Sequence, residues 1–460
     1  MTLDGAIMPS AGPDPRFAPP RPIRGTLSNG LSTLVVEKPD LPMVALGLLV
    51  RAGSVSDPTD GPGLTGFTAA MLTEGTTSRS SQQISDEMER MGSALRIKVR
   101  QEYTVLSAQA LEPHWRQALG VLADVARNPS FPTADLERIR RQRLTDLARI
   151  ADDPAAVAQR ACRALLYGGR SAYGHPGTGT EISVNSFSHD DLRAQYARAF
   201  GPVDGTLVVA GQVAADDVTE IAESLLGGWR AQGGLTISDP CDVDSDGRPE
   251  AAIYLSDRPG AAQSIIRSGQ TLVGRHSPDF MALVVLNQVL GGEFSARLNM
   301  NLRQDKGYSY GYMSTIDWLR GPSALYAGGS VQTTVTKEAV EESLKEYSEI
   351  RQQRPVEQWE HDDAVKGLLR GFPASFETQG QIAAQLVQLA SFDLPDDYLS
   401  HLPDMLLGVT LDDVREVALE RLRQQPDVIL VVGDREATEP GLSALGLTVI
   451  PVDAEGRRLN

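Results

Sequence analysis

Histidine and cysteine are the side chains of this sequence that most readily hold a transition metal. No two of its six histidines lie three or four residues apart, which is the spacing that places two ligands on one helix face. They are His114, His175, His189, His276, His361 and His401. Two cysteines, Cys162 and Cys241, are too few for a disulfide framework or a cysteine-rich zinc site, and their redox state stays open. We therefore predict no metal or other cofactor in this chain.

A short acidic segment matches the first half of a calcium-binding loop, Asp242-Val-Asp244-Ser-Asp246-Gly247. The bidentate glutamate expected at the twelfth loop position falls on Ile253, and Pro249 interrupts the backbone between them. The pattern therefore favours an acidic linker over a calcium site.

Length and composition bound the class of protein. A chain of 460 residues with 41% hydrophobic and 22% charged residues is typical of a folded protein of two to four domains. Its net charge of −17 repels nucleic acid and anionic lipid. The longest apolar run, Met43 to Val50, is far shorter than a membrane span and predicts a buried strand.

The N-terminal residues 1–24 are predicted to form a proline-rich extended tail, since six prolines occur within residues 1–22. The N-terminus does not begin with a basic segment followed by an apolar one, so the sequence as written is expected to carry no secretory signal. A tail of this kind sometimes follows a removed signal peptide. We expect a periplasmic protein if such a peptide was removed, and a cytoplasmic one otherwise.

The remaining sequence divides into two similar halves, 25–232 and 251–460, joined by an acidic linker at 233–250. Each half opens with two predicted strands, continues with helices and a hairpin, and closes with a buried strand. The closing strands are alike: Asp204-Gly-Thr-Leu-Val-Val-Ala-Gly211 and Pro426-Asp-Val-Ile-Leu-Val-Val-Gly433. We predict an internal duplication of the α+β class, in which two mixed α/β domains each have a mostly antiparallel sheet flanked by helices. Their inner faces would be buried against each other or against a partner.

Three segments of the first half resemble a known family: Asn29-Gly30-Leu31, Gly53-Ser54 and GLTGFTAAMLTEGT at 63–76. They are similar to the opening of the pitrilysin/insulinase zinc peptidases, in the mitochondrial-processing-peptidase-like branch. The resemblance covers nearly the whole chain after the tail and implies the LuxS/MPP-like metallohydrolase fold. In active members the zinc motif H-x-x-E-H lies on a helix just before the Met-Leu pair.

At the motif positions this chain has Gly66, Ala69 and Ala70, so both histidine ligands and the general base are missing. The third ligand of active members, an acid, corresponds to Asp146, and a supporting glutamate corresponds to Ile139. One acid alone does not hold a catalytic zinc, and an ordinary helix acid near Arg143 and Arg149 is the favoured interpretation of Asp146.

The second half resembles the family's C-terminal signature at 291–298 and 302–310. There an arginine and a tyrosine seven residues later, here Arg303 and Tyr310, face the zinc site across the cavity. Arg303 would end a helix, Gly307 would permit a left-handed exit, and Tyr310 would lie on the next strand. Both side chains can donate to a peptide carbonyl or to the oxyanion formed from it. The alternatives are a favourable helix-terminal charge for Arg303 and simple packing for Tyr310.

The resemblance implies the non-metal subunit of a heterodimeric zinc peptidase. Arg303 and Tyr310 would bind substrate and act catalytically, opposite the zinc of a homologous H-x-x-E-H partner, on extended peptides. The alternative is a non-catalytic structural or chaperone-like member of the same fold.

Overall fold

The computed structural model describes residues 17–168, 171–230 and 251–459. The first 16 residues of the predicted tail, the predicted linker at 233–250, the calcium-like segment and Cys241 lie outside these ranges. Within them, no helix is long and apolar enough to cross a membrane.

The first half contains a six-stranded sheet in the order β1-β2-β6-β3-β5-β4. Its strands are β1 (Ile23–Thr26), β2 (Ser32–Glu37), β3 (Met43–Val50), β4 (Arg96–Val99), β5 (Thr104–Leu111) and β6 (Thr206–Gly211). Only the β2–β6 pair is parallel. The chain runs from β2 to β3, and β6, which comes last in this half, lies between them at the centre of the sheet and is completely buried.

The second half repeats this topology, with the order β12-β7-β11-β8-β10-β9. Its strands are β7 (Ala252–Asp257), β8 (Gln263–Leu272), β9 (Ser309–Asp317), β10 (Ser323–Gln332), β11 (Val428–Gly433) and β12 (Val449–Val452). Strands β7, β11, β8, β10 and β9 correspond in order to β2, β6, β3, β5 and β4. The outermost strands differ, since β1 is the first strand of its half and β12 is the last strand of its half. The predicted α+β duplication with mostly antiparallel sheets is confirmed.

Helices flank both sheets. In the first half they are α1 (Leu64–Met71), α2 (Ser81–Arg90), α3 (Trp115–Arg127), α4 (Thr133–Asp152), α5 (Pro154–Tyr167), α6 (Glu181–Ser186), α7 (His189–Ala199) and α8 (Ala215–Leu226). In the second half they are α9 (Phe280–Asn287), α10 (Arg297–Asn299), α11 (Thr336–Glu349), α12 (Gln358–Gly371), α13 (Gln379–Ser391), α14 (Tyr398–Leu407), α15 (Leu411–Arg421) and α16 (Arg435–Ser443).

Each half contributes one helix to the sheet of the other. Helix α5 of the first half packs on β8 and β11, with Cys162 in a cluster beside Tyr254 and Leu430. Helix α13 of the second half packs on β3 and β6, and its Leu386 lies in a cluster with Val208. The inner faces of the two sheets are therefore covered reciprocally, which joins the halves into one folded unit. Burial raises the pKa of the Cys162 thiol to about 12, so this thiol is unreactive.

Several elements were not predicted. Strand β1 begins at Ile23, so it includes the last two residues of the predicted tail. Helices α14 and α16 contain Pro403 and Pro440, which hide a helical pattern in the sequence. Helix α6 and strand β12 have six and four residues, too few to show a clear period.

Candidate functional site

A buried ion pair holds the segment that leads to the predicted Arg/Tyr site. Arg297 donates through Nε and Nη2 to the two carboxylate oxygens of Glu360 at 2.6 and 2.5 Å, and its side chain is only 7% exposed. The same guanidinium donates to the carbonyls of Arg354 and Pro355. This bidentate contact ties the start of α10 to α12 and fixes the direction of the chain after it.

The chain from α10 continues as a wide π-type turn over Met300–Asp305, which carries Arg303. The turn closes when the Tyr308 amide donates to the Leu302 carbonyl at 2.8 Å. Gly307 has φ +67°, a left-handed conformation that glycine adopts without strain. Tyr310 is the second residue of β9, so the local geometry is the one predicted from the sequence.

Arg303 and Tyr310 both reach the surface. The Arg303 guanidinium carbon lies 4.2 Å from the centroid of the Phe294 ring, a cation–π contact in which Phe294 itself is 62% exposed. The neighbouring acid Glu342 is already engaged, since it accepts from Lys306 at 2.8 Å and from Asn301 at 3.0 Å. Within the described residues Arg303 has no carboxylate at ion-pair distance, so its donors are available to a ligand.

Packing does not explain Tyr310, because its ring is 94% exposed. The packing role on this strand belongs to Tyr312, which is fully buried and whose hydroxyl contacts Ser343 at 3.1 Å. Burial raises the pKa of Tyr312 to about 12. The structure therefore argues against the packing interpretation of Tyr310, while its role in catalysis remains a prediction.

The three positions that correspond to the zinc motif lie together on α1, where Gly66, Ala69 and Ala70 line one cavity of about 650 Å³. The loop at 174–178 lies against this helix. A Cβ atom built on Gly66 would be only 2.5 Å from the carbonyl oxygen of Gly177. The loop thus occupies space that a histidine side chain at position 66 would need.

Asp146, at the position of the third ligand, is a partly exposed acid on a helix. It lies on α4, its side chain is 42% exposed, and it accepts from Arg149 at 3.4 Å. Ile139, at the position of the supporting glutamate, is buried in the core of the first half.

The residues present at these positions do not fit a zinc ion. Glycine and alanine side chains offer no ligand atoms, and Asp146 is not among the residues that line the cavity. Across the ranges that the structure describes, no group of three or more His, Cys, Asp or Glu side chains could hold a metal ion.

The cavity contains cationic residues that the sequence did not single out as functional. Arg143 from α4 and Arg160 and Arg163 from α5 line it, together with His175 from the loop at 174–178. The sequence alone gave one usable signal, the spacing of Arg160 and Arg163 three residues apart on one helix face. Their meeting with Arg143 depends on how α5 packs between the two halves.

A buried acid fixes the start of α1. Asp57 accepts hydrogen bonds from the backbone amides of Gly63 and Thr65, at 2.7 and 2.6 Å. Burial raises the pKa of the Asp57 carboxyl to about 6, although these hydrogen bonds oppose the shift. Asp57 therefore orients the start of α1, and its contribution to the free energy of unfolding depends on pH.

Comparison with known proteins assigns the chain to a family. Residues 32–173 match the family model described as insulinase, peptidase family M16, and residues 186–368 match the peptidase M16 inactive domain. The chain is 26% identical to the uncharacterized zinc protease YmxG of Bacillus subtilis, over 70% of this chain and 77% of the relative. It is 25% identical to the non-peptidase homolog YmxG of Helicobacter pylori, over 74% of this chain and 77% of the relative.

Solved structures agree with this assignment. The peptidase M16 inactive domain from Pseudomonas fluorescens superposes with a TM-score of 0.82 at 25% identity, covering 90% of this chain and 98% of the other. A protease from Helicobacter pylori shares the fold, with a TM-score of 0.80 at 16% identity, covering 90% and 99%. The chain therefore belongs to peptidase family M16, as a member whose zinc-motif positions carry no metal ligands.

Proposed function

We propose that this chain is the non-metal subunit of a heterodimeric zinc peptidase. In this role Arg303 and Tyr310 face the zinc site of a homologous partner that carries H-x-x-E-H. Both donate hydrogen bonds to the substrate carbonyl and to the oxyanion that develops on it during cleavage. The partner supplies the metal, because Gly66, Ala69 and Ala70 supply no ligand.

The observation that carries the proposal is the exposure of the Arg/Tyr pair. A tyrosine ring that is 94% exposed contributes little to the stability of the chain that contains it. Arg303 is held over Phe294 and not by an acid, so its charge is oriented without being neutralised. A surface built in this way suits a ligand or a second subunit better than it suits internal packing.

The position of Tyr310 also suits extended substrates. It lies on β9, which in the described part of the chain is an edge strand that pairs with β10 alone. A free strand edge can take up an extended peptide through main-chain hydrogen bonds. We therefore propose unfolded or extended peptides as substrates.

The test is reconstitution with an M16 homologue from the same genome that carries H-x-x-E-H. The two chains are purified separately, mixed, analysed by size-exclusion chromatography and assayed with a quenched fluorescent peptide. We expect co-elution, and activity in the mixture that neither chain has alone. Full activity in the partner alone, or no co-elution, would contradict the proposal. A stable complex without activity would favour the structural or chaperone-like role.

A further inference from the structure

The cavity beside the lost zinc motif has an unusual charge for this chain. Among the described residues it is lined by Lys98, Arg100, Arg143, Arg160 and Arg163 and by no aspartate or glutamate, although the whole chain carries a net charge of −17. A concentration of cations in an acidic protein raises the local positive potential, and concave walls focus it.

Two of these arginines are neutralised by acids outside the cavity lining. Arg163 pairs with Asp317 of the second half, and Arg160 pairs with Glu455 at 3.2 Å. Both guanidiniums are thereby fixed in place, at 15% and 14% exposure of their side chains.

Arg143 is different, because no carboxylate in the described residues lies within ion-pair distance of it. The hydrogen bond that the structure gives it runs from Nη2 to the Gly66 carbonyl at 3.3 Å. Burial lowers the pKa of Arg143, and the nearby Asp146 offsets only part of this effect. A partly buried guanidinium with unused donors is stabilised by an anion that accepts two of them.

The adjacent strand indicates what carries the anion. β4 is the edge of the first sheet, and its Ile97 and Val99 line this cavity. Arg96, Lys98 and Arg100 line a second cavity of about 630 Å³, which also has no acidic residue among the described residues that line it, and Lys98 and Arg100 border both cavities. A peptide extended along β4 would meet cations on both of its faces.

We propose that the vacated metal cavity of the first half binds a carboxylate of an acidic peptide extended along the free edge of β4. Arg143 is the main anion-binding residue, and Arg160 and Arg163, each fixed by its ion pair, line the wall beside it. The site lies in the first half and needs neither a partner nor Arg303 and Tyr310, so it stands or falls apart from the heterodimer proposal.

The test measures binding of fluorescently labelled peptides to the isolated chain by anisotropy at low salt. The probe is an alternating Glu/Ala octapeptide with an amidated C-terminus, compared with the same peptide in which glutamine replaces glutamate. We expect the Glu peptide to bind about tenfold more tightly or better, which corresponds to about 1.4 kcal/mol. Equal binding of the two amidated peptides, without tighter binding of the Gln peptide that has a free C-terminus, would overturn the proposal.

Two variants on the same helix separate the site from general charge. Arg143→Gln should weaken binding of the Glu peptide about tenfold, while Arg143→Lys should retain part of it. Arg149→Gln removes the same charge from an exposed position of α4 outside the cavity lining, and should leave binding unchanged. Equal losses in Arg143→Gln and Arg149→Gln would overturn the assignment of Arg143. Melting curves confirm that each variant is folded. If Arg143→Gln does not fold, Arg143→Lys tests the site in its place.

Further binding measurements distinguish the source of the anion. Tight binding of the Gln peptide with a free C-terminus would identify the terminal carboxylate, and tight binding of only the Glu peptide would identify side chains. Either result supports a peptide carboxylate. Binding of inorganic phosphate that depends on Arg143, without binding of any peptide, would overturn the peptide part of the proposal.

Discussion

The close approach of the loop at 174–178 to α1 predicts that one added methyl group is costly at Gly66. Replacing a helix-interior glycine with alanine ordinarily stabilises a helix by about 0.5–1 kcal/mol. At Gly66 the new Cβ would lie 2.5 Å from the Gly177 carbonyl oxygen, where ordinary contacts begin at 3.4 Å. The loop backbone must move by nearly 1 Å, and overpacking of this kind costs about 1–3 kcal/mol.

Gly120→Ala is the matched control, because Gly120 lies inside α3 and a Cβ there meets nothing within 4 Å. The helix-propensity gain is common to both substitutions, so their difference isolates the clash at about 1–3 kcal/mol. For a folded unit of more than 400 residues this corresponds to roughly 1 °C per kcal/mol in thermal melting. We expect Gly120→Ala to melt above the wild type and Gly66→Ala to melt below Gly120→Ala. A Gly66→Ala protein that melts as high as Gly120→Ala would refute the proposed contact.

Three further predictions concern metal, substrate and pH. The chain purified alone should contain no stoichiometric zinc. Changing Gly66, Ala69 and Ala70 to His, Glu and His should not create a zinc site, because the loop at 174–178 blocks the first ligand. Metal analysis of the purified proteins tests both predictions. In the reconstituted peptidase, Arg303→Lys should raise KM as much as Arg303→Ala does, because an ammonium cannot reproduce the planar fork; steady-state kinetics test this. The pKa of Asp57 is about 6 in the folded state, above its unfolded value of 3.8. The contribution of Asp57 to the free energy of unfolding is therefore complete below pH 3.8 and is lost as pH rises through 6. Between about pH 4 and pH 7, Asp57→Asn should therefore lose less stability than the wild type, by up to about 3 kcal/mol, in urea unfolding curves.

Much of the fold could be predicted because each half has strong local patterns. The fully buried strands β6 and β11 appear in the sequence as near-continuous apolar runs, and their likeness revealed the duplication. The exchange of α5 and α13 between the sheets could not be predicted. Helical periodicity shows that a helix has an apolar face, but not which sheet that face covers.

The two candidate sites also differ in how far they could be predicted from local sequence. The turn from Arg303 through Gly307 to Tyr310 is local, so the spacing of these residues was enough to predict its geometry. The basic cavity depends on contacts between distant segments: Arg143 lies on α4, Arg163 on α5, and the loop at 174–178 closes beside Gly66. The sequence places these residues far apart, and only the packing of the helices brings them together.

The central claim is that this chain supplies Tyr310 to a zinc site held by another chain. The most direct measurement is kcat of the reconstituted pair containing Tyr310→Phe, beside the same pair containing Tyr308→Phe. Tyr308 is half-buried against the core of the second half, so its variant controls for loss of a hydroxyl nearby. We predict that Tyr310→Phe lowers kcat on the order of 10²-fold, about 2.7 kcal/mol, with assembly intact, and that Tyr308→Phe has little effect. A Tyr310→Phe complex with the kcat of the wild type would contradict the account.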